Sequence, residues 1–455
     1  MTQNNSTHRQ TIIKNALIIN EGTSFKGYVL IKDDIIADIG KGDYNGEHTS
    51  NDIVIDAEDK WLIPGIIDTH VHFREPGLTH KADIKSESMA AIAGGVTSYM
   101  EMPNTLPNTV SLEQVNEKNK IASSNSYANY SFYIAATNSN VDELLSLDKS
   151  DICGIKIFLG SSTGGMLMDN QSELDKLFNN AKVPIVAHCE DESIIKQNEK
   201  NYKEKFGDDF PIKFHSEIRS AEACYKSTEQ AVKLAKKYNT RLHIAHLSTA
   251  KELQLFSDNK DSKAKNITVE VCPQHLLFSD EDYSTFGTKL KVNPAIKTQN
   301  DKIGLLQGVI SGRVDTIATD HAPHTLAEKD NSYFKAPSGM PMVQHGFVAL
   351  LQLVHAGKLS VELLVDKMCH SPALCFNIYK RGFIRKGYFA DLVIVAPYTS
   401  SVITKDNTYY KCGWSLFEST EMKGKIEKTI VNGNISFDDG FFSEEVYSSQ
   451  LKFDR

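Results

Sequence analysis

The sequence predicts an α/β protein: a (β/α)8 barrel of the TIM type, with a small β-sandwich domain assembled from both ends of the chain. Three observations predict it. Residues 62–384 alternate short apolar runs with longer amphipathic stretches, the pattern of a parallel sheet covered by helices. About eight of those runs read as strands, the number a closed barrel requires. Residues 1–61 and 385–455 share a different texture, short β-type runs separated by turns.

In chain order, the polar start MTQNNSTHRQ reads as a disordered arm. The runs 11–19, 27–31 and 35–40 then predict a small antiparallel sheet. The barrel strands end near His72, Pro103, Thr137, Leu159, His188, His246, Leu276 and Asp320, with helices between, such as 221–238 and 301–311. The polar stretch 190–220 reads as a surface insertion close enough to cover part of a site. Residues 390–395 and 428–433 return to strand character, the second closing on the turn pair Asn432-Gly433.

Composition removes several function classes. The chain has 455 residues, 40% hydrophobic and 24% charged, as globular proteins have. A net charge of -8 and a pI near 6.0 argue against nucleic acid or a membrane surface as partner. No apolar run is long enough to span a bilayer, and the first residues lack a signal peptide's apolar segment. The seven cysteines (153, 189, 224, 272, 369, 375 and 412) form no CxxC pair, which predicts reduced thiols in a cytoplasmic protein.

The chemistry lies at the strand ends. His70 and His72 sit two apart, so a strand points both imidazoles to one face, and Arg74 follows on that face. His188 and His246 close two further runs, and Asp320 a third. A lone histidine in an apolar run is usually a hydrogen-bonded core residue, and an aspartate at a strand end usually a cap. Jointly, four histidines and an aspartate at ends that a barrel brings to one face form a ligand set for a catalytic divalent ion. Lys156 lies within an apolar run. A surface-seeking lysine is the plain reading. Buried, its pKa falls, and the neutral amine reacts with carbon dioxide to give a carbamate suited to bridging two ions.

DTHVHFREPG (68–77), MPNTLPNT (102–109), GIKIF (154–158), AHCED, IAHLST, KVNPAIK and ATDHAPH follow one another along the chain. Together they resemble the amidohydrolase superfamily, and within it the dihydroorotases. The resemblance implies two divalent ions, by default zinc. His70, His72 and Asp320 would hold the buried one and His188 and His246 the second, with carboxylated Lys156 between. It implies a metal-bridging hydroxide as nucleophile and Asp320 as general base and acid. Arg74, Asn104 and His324 would hold a substrate carboxylate, and Asn293 and the backbone at Gly339 would line the ring. The implied reaction is reversible hydrolysis of (S)-dihydroorotate to N-carbamoyl-L-aspartate in pyrimidine biosynthesis. A hydantoinase, dihydropyrimidinase or allantoinase is the alternative, and a non-catalytic scaffold the second, which the six filled ligand positions disfavour. A homodimer or homotetramer, contact with aspartate transcarbamoylase, and closure of 161–165 or 327–339 over substrate stay open. GIKIFLGSSTGG stands where one group of dihydroorotases has Asp-Asp-Gly, which favours the lysine bridge. Lys297 follows the NP pair with its role open, a solvated lysine being the plain reading.

Overall fold

The computed structural model describes residues 10–148, 152–160, 165–207 and 210–455. The polar arm except Gln10, and all of 161–165 except Gly165, therefore lie outside the described residues.

Five strands open the chain: β1 (Gln10–Asn20), β2 (Thr23–Lys32), β3 (Ile35–Lys41), β4 (Ile53–Asp56) and β5 (Trp61–Pro64). The middle supplies β6 (Ile66–Val71), β7 (Val96–Glu101), β8 (Asn129–Phe132), β9 (Ile134–Ala135), β10 (Ile155–Phe158), β11 (Ile185–His188), β12 (Leu242–Ile244), β13 (Ile267–Val271) and β14 (Thr316–Ile317). Then come β15 (Leu392–Val402), β16 (Glu421–Val431), β17 (Asn434–Asp438) and β18 (Phe441–Phe442).

The two end regions meet in one nine-stranded sheet of order β18-β17-β16-β15-β5-β1-β2-β3, with β4 also on β1. The hairpins are antiparallel as expected, but β1 takes both β4 and β5 in parallel, so the sheet is mixed. Its core, including Ile13, Val29, Leu62, Leu392 and Ile430, is separate from the main one.

The middle strands run parallel in sequence order, β6-β7-β8 in one sheet and β9 to β14 in another. Only Tyr133 separates β8 from β9. The first and last strands approach at a backbone bridge between Val71 and His321, where the His72 amide donates to His321 O at 2.7 Å. All but the first residue of β13 are buried in these nine strands, because helices cover them and a parallel sheet has no solvated face. The helix Ala221–Tyr238 matches its prediction, capped by Ser220 and closed by Asn239 in the left-handed region; the helix at 301–311 begins two residues earlier, at Gln299.

Two expectations change. The seventh strand stops at Val271 rather than near Leu276, because Pro273 opens a helix, Pro273–Leu277. The stretch 190–220 is only half a surface insertion. Its helix Glu192–Phe206 is mostly exposed, yet Glu190, Phe210, His215 and Ile218 are buried.

Candidate metal centre and active site

The strand ends open into one cavity of about 250 Å³. All eleven residues singled out from the sequence line it: His70, His72, Arg74, Asn104, Lys156, His188, His246, Asn293, Asp320, His324 and Gly339. Arg74, His246 and Asp320 lie beyond their strands with φ of 68°, 38° and 48°. Non-glycine residues seldom adopt this left-handed backbone, and its cost is tolerated where function needs the side chain re-aimed.

At one end His70, His72 and Asp320 gather ligand atoms within 4.8 Å of one another. The Asp320 carboxylate stands 3.3 Å from His70 Nε2 and 3.1 Å from His72 Nε2. Burial works to raise its pKa, but the two histidines outweigh it and hold the group below its ordinary value. Burial pushes the His72 pKa down to about 4 and keeps His188 and His246 low as well, so the rings are in the neutral, ligating form. His188 Nδ1 lies 2.9 Å from His246 Nε2, and the His70 and His246 rings are 5.2 Å apart. Lys156 Nζ is buried without a hydrogen-bond partner among the described residues, and desolvation lowers its pKa to about 8. A buried amine without a partner, in one cavity with a His-His-Asp group and a histidine pair, fits a divalent-metal site that completes it.

The nitrogens of three rings that turn away from this centre are held. His70 Nδ1 meets Glu270 Oε1 at 2.8 Å, His72 Nδ1 meets Asn104 Oδ1 at 2.7 Å, and His188 Nε2 meets Glu190 Oε2 at 2.9 Å. Such partners fix ring orientation and tautomer. Burial favours neutral Glu190, but Arg219 at 2.5 Å and His188 prevail and bring its pKa to about 2. Asn104 thus holds His72 as well as facing the cavity. Glu270 and Glu190 were not singled out from the sequence. The signal was present: an acid inside the apolar run 267–271, and one two residues after His188.

The other end is cationic. Arg74 is buried and donates through Nε to Pro323 O at 3.1 Å, and its Nη2 is 3.1 Å from His324 Nε2. Among the described residues it has no carboxylate partner; neighbouring Glu75 instead accepts from the Ile84 amide. Asn293 Oδ1 accepts from Ser338 Oγ at 3.0 Å. Gly339 has φ 133°, and a Cβ there would sit 2.6 Å from Ala322 O, so only glycine fits this wall. Lys329, fully buried, donates to Lys291 O, Pro337 O and Gly339 O at 2.8–3.0 Å. That fastening is at odds with 327–339 as a loosely held flap. Lys297 is buried too, donating to Ala295 O at 3.0 Å, so the solvated reading does not hold.

The family model described as "Amidohydrolase family" matches residues 61–436. The chain belongs to the amidohydrolase family. It is 33% identical to a dihydroorotase of Methanosphaera stadtmanae, covering 93% of this chain and 95% of that protein. It is 34% identical to a dihydroorotase of Halobacterium salinarum, over 85% and 89%. Among solved structures it superposes on an L-hydantoinase (dihydropyrimidinase) from Arthrobacter aurescens with a TM-score of 0.91 at 26% identity, covering 97% and 99%. This chain thus has an amidohydrolase architecture, with parallel strands at its centre and a His-His-Asp group at their ends.

Proposed function

We propose that the protein is a dihydroorotase, interconverting (S)-dihydroorotate and N-carbamoyl-L-aspartate. The observation that carries the reading is the cationic end of the cavity. A buried guanidinium without a carboxylate of its own, beside His324, suits a substrate with a carboxylate next to its reacting amide. The dihydroorotase relatives support it across most of the chain.

His70, His72 and Asp320 would hold one divalent ion, His188 and His246 a second, with carboxylated Lys156 between; zinc is the expected metal. Bound there, the ions supply an activated water and polarise the amide carbonyl. The residues do the rest. Arg74, with Asn104 and His324, binds the carboxylate and so places the ring amide over the ligand cluster. The Asp320 carboxylate, anionic at neutral pH, takes the proton of the attacking water. It delivers that proton to the ring nitrogen as the carbon–nitrogen bond breaks, and the reverse path closes the ring. Glu270 and Glu190 hold His70 and His188 in register.

The two parallel sheets are read as one (β/α)8 barrel of eight strands, β8 and β9 counting as one and the Val71–His321 bridge marking closure. The β-sandwich reading, 1–61 and 385–455 around 62–384, is supported by the separate core of the nine-stranded sheet, which also claims β5. No described helix is long and apolar enough to cross a membrane. Seven unpaired cysteines suit a reducing cytoplasm. Light scattering tests the homodimer or homotetramer, and co-elution the contact with aspartate transcarbamoylase.

The hydantoinase likeness favours a second reading, hydrolysis of a neutral cyclic ureide. Purified metal-loaded protein assayed with dihydroorotate, hydantoin and allantoin decides between them. Preference for dihydroorotate is expected; faster turnover of hydantoin or allantoin would overturn the proposal.

A further inference from the structure

Behind the cationic end stands a residue that does not line the cavity. Lys81 lies in the turn that precedes the helix Ile84–Ala93, and its Nζ is 3.0 Å from His324 Nδ1 and 2.9 Å from Glu328 Oε1. An ammonium offers three donors and no acceptor. His324 Nδ1 must therefore accept, and the proton of the neutral ring sits on Nε2. That N–H faces Ser338 O at 3.1 Å, while Arg74 Nη2 is also 3.1 Å from Nε2. Two donors cannot bond one another. Ser338 O already accepts from the ring N–H, but Arg74 Nη2 finds no acceptor in His324; an anionic ligand in the cavity would accept from Arg74 and share the N–H of the ring.

We propose that Lys81 is a positioning residue: it fixes His324 in the Nε2–H tautomer, so that the ring donates to the substrate carboxylate alongside Arg74. This rests on the dihydroorotase reading for the identity of the anion, not for the tautomer. Without the lysine, Glu328 Oε2, 4.0 Å from His324 Nδ1, is an acceptor close at hand for a proton on that nitrogen. The ring would then turn a lone pair on Nε2 toward the carboxylate.

The experiment is made at pH 8.5, where an imidazole is neutral. Nitrogen-15 shifts of His324 are recorded for the parent, Lys81→Met, Lys81→Arg and Glu328→Gln, with KM and kcat for dihydroorotate. The parent and Glu328→Gln are expected to show the Nε2–H form. Lys81→Met should show the Nδ1–H form, with KM raised roughly tenfold, the size of one hydrogen bond, and kcat within about twofold. Lys81→Arg should restore both. A Lys81→Met protein that melts normally and keeps the Nε2–H form, or the parent KM, overturns the proposal. A parent that ignores dihydroorotate yet shows the lysine-dependent tautomer would sink the functional reading and leave the positioning role standing.

Discussion

The two ends of the cavity are built on opposite principles. At the metal end the side chains are donors of lone pairs, neutral imidazoles and carboxylates packed within hydrogen-bond distance of one another. At the other end they are donors of protons, Arg74 and His324, with Lys81 behind them. The first arrangement makes sense for any member of the family, since every cyclic amide needs the same activation. The second makes sense only for a ligand that brings negative charge. On the proposed reading, reaction type and substrate choice are carried by separate walls, and each can be broken without the other.

The largest effect is expected from Lys156→Ala, at the metal end. Activity on every cyclic amide should fall by about a thousandfold or more, with metal content dropping in parallel, and a short carboxylic acid should restore part of both. Two retained ions with full activity would remove the lysine from the centre. Next, Arg74→Met should lower kcat/KM for dihydroorotate by roughly a hundredfold, as for a lost charge-assisted pair, while leaving any hydantoin turnover unchanged. Equal losses on both substrates would erase the division between the walls. Glu270→Gln and Glu190→Gln should weaken metal affinity by about tenfold each, read by titration with a chelator, without altering substrate preference. The smallest effect concerns pH. The Lys156 amine is neutral mainly above its pKa of about 8, and only the neutral amine takes up carbon dioxide. Metal loading of stripped protein at equal dissolved carbon dioxide should therefore be several-fold faster at pH 8.5 than at pH 6.5, and loading that is independent of pH would argue against the carbamate.

Much of this is legible because the candidate ligands sit at the ends of apolar runs, where strand periodicity announces them. His70, His72, His188, His246 and Asp320 could be read that way, and the helix Ala221–Tyr238 carried clear caps. What escaped has no periodicity. Glu270, Glu190 and Lys81 act through other side chains, and a charge that holds a neighbour looks in sequence like any surface charge. Lys329 was hidden for the same reason: it is satisfied by the carbonyl oxygens of Lys291, Pro337 and Gly339, which leaves no local mark; Lys297 is buried by the fold although its carbonyl partner, Ala295, is only two residues away. The mixed pairing of β1 with β4 and β5 also depends on long-range partners, whereas turn chemistry predicts only hairpins.

One such long-range pairing bears on how the protein is made. β5 ends at Pro64, one residue before the strand that carries His70, and its neighbour on one side is β15, with Pro64 opposite Leu392. The residues that frame the first candidate metal ligands are thus completed by a segment translated more than three hundred residues later. Such non-local closure is slow and exposes strand edges while it waits. A ribosome-bound chain halted before residue 392 should accordingly hold its barrel strands without the outer sheet's anchor, and metal capture should come at the end of synthesis rather than when the histidines first emerge.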